Sequence, residues 1–433
     1  MSQLEKGSKK LQNAWAFYDW ANSVYPLVIT SSIFPIFYAS LFSDEFPNIN
    51  VFGIDFKSTA LISFVTAIAF LVVAIISPLL SGIADYVGNK KRFLQFFCYL
   101  GALSCIGLYW FSLENIMFGL LCYFFGLIGF WGSLVFYNSY LPDVAFEEQQ
   151  DGLSAKGYSL GYIGSVILLV ASLAIVIGKE DQAAIDAMRL TFVFTGIWWI
   201  FFSQYTFYYL PKSNKEAKKI NTSVFFNGFR ELVKVKNELF KDLSLKRYLI
   251  AFFVYSMAVQ TVMLVATYFG EQEINWPSES GKTMGLIISI LVIQLVAVGG
   301  AIITSKASAK YGNIPTLIVI NVIWAVICVC AYFVTEPIHF YVTAGFVGLV
   351  MGGIQSLSRS TYSKFLPKTD DTASYFSFYD VSEKIGIVIG MGLYGLIDQL
   401  TGSMRNSIVF LTIFFIGGVI LLLRVPKKTI SAQ

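Results

Sequence analysis

Apolar runs of about 20 residues recur along this chain of 433 residues, and they constrain its fold more than any other feature. The hydrocarbon core of a bilayer is about 30 Å thick, so a helix rising about 1.5 Å per residue crosses it with about 20 apolar residues. We therefore predict an all-α polytopic membrane protein with twelve transmembrane helices. Their apolar cores are residues 15–41, 59–81, 93–112, 116–139, 157–178, 190–210, 248–269, 283–305, 314–334, 339–362, 375–399 and 405–424.

The composition excludes several other classes of protein. Only 13% of the residues are charged and 56% are hydrophobic, whereas soluble proteins average about 25% charged residues. The five cysteines lie inside apolar runs without a CxxC pair, and His339 is the single histidine, so we predict no metal site and no cofactor. The sequence contains neither a phosphate-binding loop nor a G-x-S-x-G motif, so we predict that the chain is not an enzyme. Nothing in the net charge of +4 indicates a nucleic-acid partner.

The positions of Lys and Arg predict the orientation in the membrane. If the N-terminus is cytoplasmic, 24 of the 31 Lys and Arg residues fall on the cytoplasmic side and five on the opposite side. Because positive charge is enriched in cytoplasmic loops, we predict a multi-pass protein of the plasma (inner) membrane with both termini in the cytoplasm. The longest polar stretch, residues 211–247, is predicted to be a basic linker between two halves, 1–210 and 248–433. It forms either a solvated amphipathic helix or a helix on the membrane surface.

An internal repeat supports this division into halves. Residues 81–89 align with 305–313 at an offset of 224, and the Leu-Pro pairs at 141–142 and 366–367 keep an offset of 225. Gly161 and Gly386 are also separated by 225 residues. A fixed offset across six spans predicts two duplicated six-helix bundles related by an axis along the membrane normal.

Several motifs resemble the major facilitator superfamily. The loop 81–92 (SGIADYVGNKKR) is similar to that superfamily's first signature, with Ser81 in place of its usual glycine. Further motifs resemble the branch of autophagy-related vacuolar amino-acid effluxers of fungi and their bacterial homologues. These are FYDWANS at 17–23, FYN at 136–138, LPD at 141–143, GGIQSLSRS at 352–360 and FY at 378–379. The resemblance implies the major facilitator fold and export of an amino acid or a similar zwitterion.

Ionisable side chains inside spans need a partner, a cavity or a function, because each costs a few kcal/mol, roughly, at the bilayer centre. Asp19 lies in the first span with Asn22 and Ser23 on the same helical face. It is predicted either to bind a substrate amine or carry a proton, or to be an acid at the membrane interface. Gln260, Gln355 and other uncharged polar residues either line the same cavity or form hydrogen bonds between helices.

The eleventh span carries the largest group of candidate residues. Tyr379, Asp380, Glu383 and Lys384 follow one another there, and Lys384 is predicted to lie about 15 Å from the cytoplasmic face. This lysine either holds a substrate carboxylate or forms a buried ion pair with Asp380 or Glu383. Opposite charges in opposite halves suggest the hypothesis that Asp19 and Lys384 clamp the two ends of a zwitterion.

The loop after the second span suggests a gate. Gly88 permits a tight turn, and Asp85 is predicted to meet the positive N-terminus of the eleventh span when the cytoplasmic side is closed. Lys90 is assigned to this gate, as is Arg359, which lies nearer the surface than Lys384. The alternative is an ordinary positively charged loop. Ala309 at the equivalent position in the repeat predicts that the second half has lost the carboxylate.

Together these features predict a secondary active transporter of a small polar organic solute that works by rocking its two halves. An amino acid is the leading substrate, export is the direction implied by the resemblance, and a proton is the candidate co- or counter-transported ion. The expected partners are the solute and the lipid bilayer, and we expect a monomer. The alternative class is a non-transporting scaffold or a lipid-handling membrane protein such as a lysolipid flippase.

Overall fold

The computed structural model describes residues 4–42, 48–51, 53–211 and 223–426. The first half contains α1 (Lys9–Asn22), α2 (Ile33–Ser40), α3 (Ser58–Val87), α4 (Lys90–Gly107), α5 (Ile116–Ser139), α6 (Leu141–Val144), α7 (Glu147–Val176) and α8 (Asp181–Tyr209). The linker forms α9 (Ser223–Lys241). The second half contains α10 (Leu243–Glu273), α11 (Glu279–Tyr311), α12 (Asn313–Ala331), α13 (Pro337–Phe365), α14 (Thr372–Thr401) and α15 (Met404–Leu423).

The prediction of an all-α polytopic membrane protein is confirmed. Eleven helical segments among the described residues are long and apolar enough to cross a membrane. The twelfth predicted span is α14, a helix of 30 residues whose hydropathy is lowered by Asp380, Glu383 and Lys384. The part of the linker at residues 212–222 lies outside the described residues.

The first span differs from a continuous α-helix. A π-helical segment, Tyr25–Thr30, separates α1 from α2. Pro26 has no backbone N–H to donate, and the Thr30 hydroxyl donates a hydrogen bond to the Pro26 carbonyl oxygen at 2.7 Å. A short antiparallel hairpin, Asn48–Val51 with Ile54–Lys57, follows this span and was not predicted.

Two large buried clusters form the core, and each belongs mainly to one half. One gathers apolar side chains from residues 11–210 with Ala373, and the other gathers side chains from residues 235–425 with Tyr162. The halves meet through equivalent helices. The fifth span, α7, packs on α11 and α13, while the eleventh span, α14, packs on α3 and α5. This exchange of equivalent partners is the relationship that the sequence repeat predicts.

We call the end of the bundle that carries the linker and the α3–α4 loop the linker side. It is the side predicted to be cytoplasmic.

Candidate functional site

A buried ion pair joins the two halves. The Arg359 Nη2 atom on α13 lies 3.1 Å from the Asp19 Oδ2 atom on α1, and these side chains are 2% and 6% exposed. The Tyr137 hydroxyl donates to the same Asp19 oxygen at 2.9 Å. Arg359 also donates to the Ser154 hydroxyl at 2.9 Å and to the Ser154 carbonyl at 3.0 Å. These partners offset part of the free-energy cost of burying the two charges away from water.

Aromatic rings and a glycine shape the surroundings of this pair. The Arg359 guanidinium lies 4.2 Å from the ring centroid of Tyr158 and 4.8 Å from that of Trp15, which are distances typical of cation–π contacts. Gly157 of α7 lies directly against the pair. A Cβ atom there would be 2.4 Å from Asp19 Oδ2 and 3.0 Å from Arg359 Nη2. Only glycine leaves room for the pair at this position.

A second charged cluster lies on α14. The Lys384 ammonium is 2.9 Å from Asp380 Oδ1 and 3.0 Å from Glu383 Oε2, and the lysine side chain is 1% exposed. The Gln260 amide of α10 donates to Glu383 Oε1 at 2.7 Å. Across the interface between the halves, the Trp131 ring of α5 lies 3.7 Å from the Lys384 nitrogen. The cluster therefore faces the first half and carries both signs of charge.

The other predicted site residues occupy separate positions around these two clusters. The Gln355 side chain accepts a hydrogen bond from the Tyr162 hydroxyl of the other half at 2.6 Å. Tyr379 is stacked on Phe252 with a centroid distance of 4.0 Å. Ser23 contacts Asn22 at 3.4 Å on the face of α1 that carries Asp19.

Nineteen buried side-chain polar atoms lack a hydrogen-bond partner among the described residues, and two of these atoms belong to predicted site residues. They are Nδ2 of Asn22, a residue 1% exposed, and Oδ2 of Asp380, a residue 5% exposed. An unsatisfied buried polar group costs about 1–3 kcal/mol, so such groups in native structures often mark the place of a bound molecule or water.

The contact expected of Asp85 is present on the linker side. Its carboxylate accepts hydrogen bonds from the backbone N–H groups of Ala373 at 3.3 Å and Ser374 at 2.7 Å, in the first turn of α14. Gly88 ends α3 with a φ of +71°, which favours glycine. Lys90 donates to the Thr372 hydroxyl at 2.8 Å and forms an ion pair with Asp143. The role of this contact as a gate stays a prediction.

A second contact on the linker side was not predicted. Asp151, near the start of α7, accepts hydrogen bonds from Ser308 Oγ at 3.0 Å, Asn313 Nδ2 at 2.9 Å and Lys364 Nζ at 2.6 Å. The second half does lack an acid at Ala309, but the first half supplies the carboxylate from the opposite side of the interface. The second half thus has no counterpart of Asp85 at this position, and Asp151 of the first half provides the acid of the contact instead.

These contacts hold the halves together on the linker side. A polar cleft of about 800 Å³ opens outside them, lined among others by Asp85, Lys90 and Lys368. Asp19 and Lys384 do not meet: Asp19 binds Arg359, and Lys384 binds acids on its own helix. The proposed clamp between them is not assembled in this linker-side-closed conformation.

Reasoning from the sequence missed the aromatic cage of Arg359, the Trp131 contact and Asp151. Trp15, Tyr137 and Tyr158 are ordinary residues in apolar helices, and only their position next to a charge marks them. Asp151 could have been identified from the sequence, because it is an acid in the polar first turns of the fifth span.

Comparisons with known proteins agree with this architecture. The family model described as vacuole effluxer Atg22 like matches residues 7–431. A Bacillus subtilis (strain 168) protein described as the uncharacterized MFS-type transporter YxiO is 32% identical over 437 residues, covering 98% of this chain and 97% of its own length. Autophagy-related protein 22 of Saccharomyces cerevisiae (strain S288c) is 26% identical over 412 residues, covering 82% of this chain and 76% of its own length.

Solved structures show the same fold. The E. coli fucose:proton symporter FucP superposes with a TM-score of 0.68 at 13% identity, covering 97% of this chain and 98% of its own. The proton:xylose symporter XylE superposes with a TM-score of 0.69 at 12% identity, covering 96% and 95%. The twelve-helix arrangement of two bundles is therefore the major facilitator fold.

Proposed function

The chain belongs to the Atg22-like effluxer family of major facilitator transporters, and from this premise we propose that it is a secondary active transporter of a small polar organic solute. The leading substrate class is an amino acid or similar zwitterion. Export across the plasma membrane is the proposed direction. The relatives' descriptions support transport, and the charges of the site support the substrate class.

The cluster on α14 is the observation that carries this proposal. It places a buried ammonium group within 3.0 Å of two carboxylates and in contact with the opposite half. A zwitterion presents the complementary charges. Its carboxylate would bind Lys384, and its ammonium group would bind Asp380, whose second carboxylate oxygen lacks a partner among the described residues.

Asp19 enters the cycle at a later step of this proposal. While the linker side is closed, its carboxylate is held by Arg359. When the halves rock and the linker side opens, Arg359 moves away with the second half and frees Asp19 for the solute or a proton. The clamp between Asp19 and Lys384 is thus proposed for the open conformation alone.

A solute screen followed by flux measurement tests the proposal. Amino acids and other zwitterions are tested for thermal stabilisation of the purified protein, and those that stabilise it are followed by counterflow in proteoliposomes. Lys384→Met is expected to remove the stabilisation and lower counterflow about tenfold or more, since a hydrogen bond to a charged group contributes about 1.5–3 kcal/mol. Lys306→Met, at an exposed site near the end of α11, is the matched control.

The double variant Asp380→Asn/Lys384→Met removes one charge of each sign, so it leaves the net charge of the cluster unchanged and separates loss of binding from misfolding. If it folds and still binds and transports the solute normally, the proposed site is wrong. Movement of a lysolipid, with no polar solute transported, would support the lipid-handling alternative instead.

A further inference from the structure

Helix α9 of the linker uses one face to pack on the bundle. Val235 and Leu239 on this face are 0% and 1% exposed and join the buried cluster of the second half. The helix packs mainly along α3, the second membrane span, and also touches α10 and α14. Its contacts with Asp371 and Tyr375 at the start of α14 place α9 at the linker-side end of the bundle, where the membrane surface is expected.

The opposite face of α9 is also apolar. Phe226, Phe229, Val233 and Phe240 are 69%, 55%, 40% and 52% exposed. At about 100° per residue, these four positions fall within one narrow sector, roughly opposite the buried face. We call this set the outer stripe. Three exposed phenylalanines on one side of a helix are unfavourable in water and favourable in a membrane interface.

The charges of α9 are divided between the two sides. The basic residues Arg230, Lys236 and Lys241 are exposed and flank the outer stripe. The acidic residues turn toward other protein groups. Glu238 accepts a hydrogen bond from the Tyr375 hydroxyl at 3.0 Å, and Glu231 forms an ion pair with Lys234 at 3.0 Å. The side that carries the outer stripe is therefore both aromatic and positively charged.

We propose that α9 binds anionic phospholipids at the surface of the cytoplasmic leaflet through the outer stripe and its basic flanks. Of the two forms that the sequence allowed for the linker, this is the membrane-surface helix. Aromatic side chains would insert at the boundary between head groups and acyl chains, and the lysine and arginine side chains would reach the lipid phosphates. The surface is independent of the solute site, so the proposal stands apart from the proposed function.

Contacts between α9 and α14 connect the proposed lipid-binding surface to the gate. Lys234 lies 3.4 Å from Asp371, and Glu238 binds Tyr375, so α9 touches the first turns of α14. The same turns donate their backbone N–H groups to Asp85. An α9 fixed on the membrane surface would hold the start of α14 where Asp85 binds it. Anionic lipid is thus expected to favour the linker-side-closed conformation.

Site-directed fluorescence tests the lipid contact. The exposed Cys330 is replaced by serine, Phe229→Cys is labelled with an environment-sensitive dye, and the full chain is reconstituted in phosphatidylcholine vesicles with or without phosphatidylglycerol. We expect a blue-shifted emission that is quenched by brominated lipid and shifted further by the anionic lipid. Glu148→Cys, an exposed position in the polar cleft, is the control expected to stay in water.

A charge variant tests the coupling to the gate. Arg230→Gln/Lys236→Gln/Lys241→Gln is expected to abolish the response to phosphatidylglycerol, both in the emission and in the fraction of protein crosslinked between α3 and α14. Emission from position 229 that matches position 148 in both kinds of vesicle would overturn the proposal and favour a soluble partner for the stripe. Absence of solute flux in the unaltered protein would contradict the proposed function and leave this surface unaffected.

Discussion

Arg359 of α13 and Asp19 of α1 lie 340 residues apart in the sequence and form an ion pair between the two halves, with 3.1 Å between Nη2 and Oδ2. The two residues come from different halves, so we expect the pair to break when the linker side opens. A buried ion pair gives little net stability but costs much when one partner is removed. We therefore expect the pair to determine how the two halves align in the closed conformation more than to stabilise that conformation.

Removing one partner should open the linker side and destabilise the fold. Arg359→Met leaves the Asp19 carboxylate buried beside Tyr137, and we expect a loss of about 3–5 kcal/mol in the free energy of unfolding. The loss is measured as a lower melting temperature in detergent, together with faster thiol labelling of cysteines introduced on the linker side.

A double variant identifies the pair as the cause. Asp19→Asn/Arg359→Met should be more stable than Arg359→Met alone, because it no longer contains an unpaired charge. Arg405 and Glu273, 2.7 Å apart within the second half, provide the control. Arg405→Met is expected to lower stability without changing labelling on the linker side. Equal labelling in both variants would contradict the role of Asp19 and Arg359 between the halves.

The two carboxylates at the linker side should act additively. Asp85→Asn and Asp151→Asn each replace charge-assisted hydrogen bonds by weaker ones, so each is expected to lower the closed-to-open ratio about tenfold, which corresponds to about 1.4 kcal/mol. The contacts lie in different halves of the interface, and the double variant should show the product of the two effects. Crosslinking of Ala84→Cys to Ala373→Cys measures closure at α14, and an unchanged yield in Asp85→Asn would rule out the gate.

The sequence predicts best those features of the protein that a pattern along the chain defines directly. The length of an apolar run gives a span, a fixed offset gives the repeat, and the spacing of Asp380 and Lys384 on one helix gives their ion pair. Contacts between the halves depend on how the helices pack, which no local pattern encodes. For that reason Arg359 was assigned to the gate but not paired with Asp19.

The case of Asp151 shows a further limit. The repeat predicts where the second linker-side contact lies, but it compares only equivalent positions of the two halves, such as Asp85 and Ala309. In this contact the acid stands on the opposite partner, so α7 of the first half supplies it to Ser308 and Asn313 of the second. The geometry of the contact is retained while the residue types are exchanged, and an alignment of the two halves shows only the absence of the acid at Ala309.

We predict that the carboxyl group of Glu383 couples solute transport to the movement of protons. Glu383→Gln retains the hydrogen-bonding shape toward Gln260 and removes the titratable group. We expect counterflow of the solute to persist, because exchange at equal pH needs no net proton movement, while uptake or export driven by a pH gradient is lost. Gradient-driven flux that equals that of the unaltered protein would move the proton site to Asp19.

Gly157 offers the sharpest test of packing around the ion pair. A methyl group at this position would approach Asp19 Oδ2 to 2.4 Å, so Gly157→Ala must push the pair or α7 apart. We expect a loss of about 1–3 kcal/mol in the free energy of unfolding and increased opening on the linker side.

Gly152, on the same helix, is the control, because a Cβ atom there would have its nearest neighbour, Ser305 Oγ, at 3.9 Å. Gly152→Ala should therefore be neutral, or stabilising by about 0.4–1 kcal/mol through the lower entropy of the unfolded chain. Melting temperatures of the two variants measured side by side decide the matter, since equal effects would show that α7 does not depend on close approach to Asp19.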